Sequence, residues 1–291
     1  MTTIKLNSTD TEEILLLQKL LRKVGYPLSI DGIFDSKTDK TIRDFQFSNS
    51  LIADGVVNPL TWEVLFSKAS KSNEELLGTD IFQSDATYDE AFWSALKDKY
   101  LFCFVKSSEG STYKDPRFAE HIKSLKEQKI LRGGYHFFRL LNEDVDGQIH
   151  NFLNSGLDYR EKGVLPPVLN IEPSIDDIQN KRIGFIASER VKIAQRMKHW
   201  LNVVEQETGK RPFIYTSKNV WDDILKSPTG FENYPLWIAD YSTETKPNLP
   251  NTWVNHAIRQ FTESGTIAGK SDFNVNRLNI SYSQLLSMAG F

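Results

Sequence analysis

Four short stretches, Gly78-Thr79-Asp80, Tyr135-His136-Phe137, Leu169-Asn170-Ile171-Glu172 and Ser271-Asp272-Phe273-Asn274, each put a carboxylate, an amide or an imidazole at the end of a short apolar run. A β/α barrel presents functional groups in this way, because the loops after its parallel strands converge on one face. From Leu76 onward, apolar runs alternate with amphipathic segments: Phe102 to Val105 before a helical stretch from Pro116 to Gln128, Gly133 to Phe138 before Asp146 to Leu153, and Val168 to Ile171 before Ser188 to Thr208. Pro212 to Thr216, Leu236 to Tyr241, Ala257 to Thr262 and the Asp272 segment continue the series. Repeated strand-then-helix order predicts a parallel sheet closed into an irregular (β/α)-barrel of TIM-barrel type. The helices weaken after Tyr215, where Trp221 to Leu225 is the last short candidate, so irregularity is expected at the barrel's end.

Length and composition limit the alternatives. A chain of 291 residues fits a barrel of roughly 200 residues plus a module of about 60 to 70. Apolar residues make up 40% and aromatic residues 12% of the chain, enough to build a core. No run approaches the ~20 consecutive apolar residues of a membrane helix. A net charge of -3 with dispersed Lys and Arg gives no clustered basic face for nucleic acid. The single cysteine, Cys103, sits in the apolar run Leu101 to Val105, where it can form no internal disulfide and reads as a buried strand residue. His121, His136, His150, His199 and His256 show no ligand spacing with one another or with Cys103, so no metal and no cofactor is expected. Met1 to Asn7 lacks the basic and then apolar segments of a secretory signal. The expectation is a dedicated route of export or a trimmed chain.

The first 66 residues read as a small all-α domain. Ile14, Leu17, Leu21 and Val24 fall on one stripe of an amphipathic helix that Gly25 stops. Two segments then repeat a pattern: Asp31-Gly32-Ile33-Phe34-Asp35-Ser36-Lys37-Thr38 and Asp54-Gly55-Val56-Val57-Asn58-Pro59-Leu60-Thr61. Each is an Asp-Gly turn, an apolar pair, a polar turn and a Thr able to cap the next helix. Leu17-Gln18, Leu20-Leu21, Asp31-Gly32, Phe34, Thr38, Phe45-Gln46, Asp54-Gly55 and Thr61-Trp62 with Leu65 resemble the three-helix peptidoglycan-binding domain carried by many cell-wall hydrolases. The resemblance implies binding to wall glycan or stem peptide. Phe45, Trp62 and Leu65 read as core. Residues 67–75, Ser-Lys-Ala-Ser-Lys-Ser-Asn-Glu-Glu, have the composition of an exposed linker, which leaves 76–291 for the barrel.

In the second domain Asp80, Glu109, His136, Glu172, Tyr215, Asp240, Gln260 and Asp272 follow or close apolar runs in order, the polar lining that a carbohydrate-sized cleft needs. Gly78-Thr79-Asp80, Ser108-Glu109-Gly110, Gly134-Tyr135-His136-Phe137, Pro166-Pro167-Val168-Leu169 with Glu172, Ile214-Tyr215-Thr216-Ser217, Leu236-Trp237-Ile238-Ala239 with Tyr241, and Asp272 with Asn274 resemble the family 25 glycoside hydrolases. These are muramidases that cut between N-acetylmuramic acid and N-acetylglucosamine. The resemblance implies Glu172 as general acid and then base, with Asp80 and Asp272 as supporting carboxylates. Glu109, Tyr135, His136, Tyr215, Trp237, Asp240, Tyr241 and Gln260 are implied as substrate-binding residues, His136 orienting rather than acting as a base.

Asn170 stands where the family has an aspartate, and in an extended strand it faces the same way as Glu172. The family's reaction implies a substrate acetamido oxygen as nucleophile and retention of configuration. Asparagine can accept the amide N–H there but supplies no charge, and losing one preorganised electrostatic group costs ~10²- to 10³-fold in rate. Arg259 and Phe261 flank Gln260 where the family has aromatic residues, which points to an altered stacking surface or substrate contact. Two functions follow: an active muramidase, helped by the N-terminal domain through bivalent attachment, or a weak or inactive wall-binding protein. Acting at the wall without a visible signal fits phage lysis or a secretion system that delivers the protein to a rival. The latter adds the secretion apparatus and an immunity protein as partners.

Overall fold

A computed structural model of the protein describes residues 2–71, 75–82, 88–141, 144–174 and 187–291. It divides into two compact units, one built on Met1–Glu75 with Ser281–Ser283 and Phe291, the other on Leu76–Ile280 and Gln284–Gly290.

In the first unit, α1 (Thr11–Lys23), α2 (Ser36–Ser48) and α3 (Pro59–Lys71) bury Ile14, Leu17, Leu21, Ile42, Phe45, Trp62 and Leu65. The two repeats fold alike, each around a buried glutamine. Gln18 Oε1 accepts from the N–H groups of Asp31 (3.0 Å) and Gly32 (2.8 Å), while its Nε2 donates to Asp31 Oδ1 and the Ile33 carbonyl. Gln46 repeats this on Gly55 N–H (2.9 Å), Asp54 Oδ1 and the Val56 carbonyl. Gly32 has φ +75°, and a Cβ there would lie 2.4 Å from Thr11 Cγ2, so the turn requires glycine. The helix caps differ from the sequence expectation. Asp35 and Asn58 accept from the N–H groups of Thr38 and Thr61, because each Thr sits three residues later and turns its hydroxyl back to the carbonyl of Ile33 or Val56. The stretch read as linker from Ser67 also begins as helix. α3 runs on to Lys71 because Ala69 continues its buried stripe.

The second unit is a barrel. Its strands are β1 (Leu77–Ile81), β2 (Phe102–Glu109), the short β3 (Tyr113–Lys114), β4 (Leu131–Phe137), β5 (Val168–Asn170), β6 (Phe213–Ser217), β7 (Leu236–Ala239), β8 (Ile258–Ile267) and β9 (Lys270–Leu278). The order β1-β9-β8-β7-β6-β5-β4-β2, with β1 also paired to β2, closes eight of them into a ring and leaves β3 as an outrigger on β2. Neighbours are parallel from β1 through β8, but β9 runs antiparallel to both β8 and β1. An all-parallel TIM-type barrel is therefore not what forms. Ala268 and Gly269 link β8 to β9 with φ of 49° and 77°, the paired positive φ of a two-residue hairpin turn, which joins only antiparallel strands. Trp221 to Leu225 is likewise irregular, a short π-helical turn at Asn219–Ile224 that Leu225 caps.

Strand alternation separates two cores. Phe102, Phe104, Phe213 and Trp237 point into the barrel, with Phe104 centred 4.9 Å from Trp237 and 6.0 Å from Phe213. Gly78 and Gly133 make room: a Cβ at either would come within 2.3–2.5 Å of the Phe102 or Phe104 ring. Their neighbours Cys103, Val105, Leu169, Ile171, Ile214 and Ile238 face outward. They pack against α4 (Glu90–Lys99), α5 (Phe118–Glu127), α6 (Val145–Leu153) and α7 (Ala187–Thr208), whose Phe92, Leu125, Phe152 and Trp200 complete the outer core.

Candidate active site

The same alternation sets which side chains meet at the strands' C-terminal ends. Asp80, Lys106, Tyr135, Asn170, Tyr215, Trp237 and Asn274 line one cavity of about 250 Å³, together with Phe82, Phe137, Val168 and Glu172. Among the described residues two carboxylates lie in it, Asp80 and Glu172, in contrasting surroundings.

Asp80 is 8% exposed and held by three amides. Gln260 Nε2 (2.9 Å) and Asn276 Nδ2 (2.8 Å) donate to Oδ1, and Asn274 Nδ2 (2.7 Å) donates to Oδ2. Two of these amides are oriented from behind. The Trp237 indole, which can only donate, gives its N–H to Asn276 Oδ1 at 2.9 Å, leaving Nδ2 for Asp80. The hydroxyls of Tyr215 (2.8 Å) and Tyr241 donate to Gln260 Oε1. Burial and nearby carboxylates push both phenols up, Tyr241 to about 12, so they remain donors. Burial raises the Asp80 carboxyl above the usual range, and the three amide bonds oppose that shift.

Glu172 is partly buried and has one amide donor, Asn170 Nδ2 at 3.1 Å. Burial lifts its pKa; the Asn170 bond lowers it, the Asp80 charge lifts it further and Lys106 opposes, with a net rise. The other end of Asn170 is unsatisfied. Its Oδ1 is buried and has no hydrogen-bond partner among the described residues, and the residue is 9% exposed. A buried acceptor in a cleft without a partner costs free energy unless a ligand donates to it.

The sequence that builds this ring and its cleft matches a known family. The model of the Glycosyl hydrolases family 25 covers residues 79–270. The chain belongs to that family. Residues 10–65 match the model described as "Putative peptidoglycan binding domain". Lysozyme M1 of Streptomyces globisporus is 27% identical over 205 residues, 68% of this chain and 66% of the relative's length. A bacterial lysozyme from Streptomyces coelicolor superposes with TM-score 0.65 at 25% identity, over 75% of this chain and 98% of the other. A GH25 lysozyme from Aspergillus fumigatus superposes with TM-score 0.62 at 26% identity, over 74% and 99%.

In this family 25 barrel, other residues picked from sequence fall elsewhere. Asp272 is not among the residues lining this cavity. It is exposed, has φ 68°, and accepts from Ser271 Oγ at 2.7 Å. Asn274, two residues on and opposite Asp80 in the ladder, takes the place expected of it. His136 follows Tyr135 on the strand and so faces outward. It is fully buried between Ser108 Oγ (2.8 Å), Gln148 Oε1 (3.3 Å) and the stacked Trp200 ring, and burial depresses it to about 3, so it stays neutral and structural. Asp240 accepts from the N–H groups of Ser242 and Asn248 and pins its own loop. Glu109 is paired with Lys106 (2.6 Å) and with Arg139 at the rim.

Arg259, expected to alter a sugar contact, also points out of the barrel, donating to the carbonyls of Asp240, Ser242 and Glu244. Phe261 carries the Arg277 guanidinium over its ring at 4.3 Å. Sequence reasoning gave Lys106 and Asn276 no place in the site. Parity would have found both: Lys106 is in step with Phe102 and Phe104, and Asn276 with Asn274.

Proposed function

We propose that this protein is a peptidoglycan hydrolase, an N-acetylmuramidase cleaving the β-1,4 bond between N-acetylmuramic acid and N-acetylglucosamine. The observation that carries this reading is the pair Asp80 and Glu172, two carboxylates in one cleft with unlike environments, the arrangement that assigns acid and charge-stabilising roles in glycosidases. Family membership and the N-terminal module support peptidoglycan as the substrate class.

Glu172, its pKa raised by burial and by Asp80, protonates the glycosidic oxygen as the bond to the anomeric carbon breaks. The orphan Asn170 Oδ1 accepts the substrate's acetamido N–H and so holds that group's carbonyl oxygen toward the anomeric carbon. The oxygen bonds to it, which gives retention once water, deprotonated by the Glu172 carboxylate, opens the ring so formed. Positive charge developing on the sugar faces Asp80, the remaining anion of the cleft. Asn170 keeps the orienting half of the family aspartate's role and loses its charge.

Muropeptide release from purified peptidoglycan, analysed by mass spectrometry, tests the assignment. Wild type is expected to yield products with reducing-end N-acetylmuramic acid. Glu172→Gln is expected to lose ~10²- to 10⁴-fold, the usual contribution of a general acid. Asn170→Asp is expected to be faster than wild type, because it restores a charge and lifts Glu172. No product from wild type with recovery in Asn170→Asp would instead support the second reading, a wall-binding protein with a disabled cleft.

A further inference from the structure

We propose that the cleft continues past Asp80 into a second compartment that binds the stem peptide of peptidoglycan. The proposal rests on the muramidase reading for its substrate and extends it to a part of the polymer that is not cut.

A cavity of about 350 Å³ adjoins the first and shares Asp80, Phe82 and Asn274 with it. The two cavities meet at the β1–β9 ladder, where Asp80 is paired with Asn274. Their linings differ in kind. The first is ringed by amides, phenols and carboxylates. The second has an aromatic floor, with Phe273 centred 6.1 Å from Tyr88 and Phe82 58% exposed at the junction. A polar rim, Ser271 between the charged Lys270 and Asp272, comes from the start of β9. Asp272 is a non-glycine residue at φ 68°, a left-handed conformation that Asp tolerates better than most residues. It stands with its carboxylate in solvent beside the Lys270 end of the strand.

A glycan strand has no use for this compartment. Its sugars are neutral, since the muramoyl lactyl carboxyl is consumed in the amide bond to the peptide. A cation and an anion over an apolar floor have no partner on it. The stem peptide is the complementary object: short, with alanine methyl groups for the aromatic floor, free carboxylates for Lys270, and in uncross-linked stems an ammonium for Asp272. Because the peptide branches from the muramic acid, a sugar beside Asp80 in the first compartment delivers its branch to the second. Rim charge pairs of this exposure contribute modestly to affinity and mainly to selectivity.

The test compares kcat/KM on two substrates, soluble glycan strands bearing stem peptides and the same strands stripped by an amidase, with the lactyl carboxylates so freed capped as methylamides to keep the glycan neutral. Wild type is expected to prefer the peptide-bearing strands, and Lys270→Glu to shrink that preference roughly three- to tenfold. An unchanged preference overturns the proposal. Binding is read separately by NMR, titrating a synthetic alanyl-γ-glutamyl-lysine tripeptide into the full chain with labelled Phe and Tyr. Saturable shifts of Phe82 and Tyr88 that are lost in Lys270→Glu are expected; shifts that are absent, or the same in both proteins, overturn it. Cleavage of either substrate bears on the muramidase reading alone. A protein that cleaves both equally without tripeptide shifts keeps that reading and loses the subsite, and one that cleaves neither but binds the tripeptide through Lys270 does the reverse.

Discussion

At the residue scale, the cleft is a contest of burial against hydrogen bonding on two carboxyls. Asp80 receives three amide N–H groups and Glu172 one. Removing Asn276 by Asn276→Ala takes one donor from Asp80 and leaves the buried Trp237 N–H unmatched. The loss of stability is expected at about 1–3 kcal/mol, read by urea denaturation, together with a lower kcat. Lys106 tests the acid. Its charge is one of the influences lowering Glu172, so Lys106→Met lets the Glu172 pKa rise. A general acid works while protonated, and activity falls as pH climbs through its pKa. The alkaline limb of the pH–activity profile is therefore expected to move to higher pH in Lys106→Met, and a shift to lower pH would contradict the assignment of Glu172.

At the element scale, the first unit repeats one device twice, a helix glutamine that grips the Asp-Gly turn ahead of the next helix. Gln46→Leu keeps the side chain's bulk but leaves the Gly55 N–H without its partner and the Val56 carbonyl with the long Thr61 hydroxyl bond in place of two donors. The expected cost is about 2–3 kcal/mol, visible as faster hydrogen exchange in peptides from residues 36–66 with the barrel peptides unchanged. In the barrel the corresponding device is the Ala268-Gly269 turn. It folds β9 back as an antiparallel strand, and β9 carries both Asn274 and Asn276 to Asp80. The irregular end of the barrel thus supplies two of the three amides around that carboxylate.

At the scale of the whole molecule, the chain joins a family 25 barrel to a three-helix module, and tethering a binder to a catalyst raises local substrate concentration only where both can engage the same polymer. A variant beginning at residue 76 is expected to lose about tenfold or more in kcat/KM on insoluble peptidoglycan and less than twofold on soluble fragments, measured by release of reducing ends. Much of this organisation was legible in the chain itself. The apolar runs, their helical spacers and the Asp-Gly repeats are local patterns, so element order, the pseudo-repeat and the strand-end positions of Asp80, Asn170 and Glu172 could be read from neighbours in sequence. Which strand-end residues share the cleft was not local. His136 and Asp240 lie at the same ends as Tyr135 and Trp237, yet face helices and a loop because side chains alternate. Asp272 lies at a left-handed position of the strand outside the first cavity, and the amide grip on Asp80 unites residues 180 to 196 positions away. Sequence determines which groups end each strand; ring closure, strand parity and the direction of β9 decide which of them meet, because those depend on pairing between distant segments.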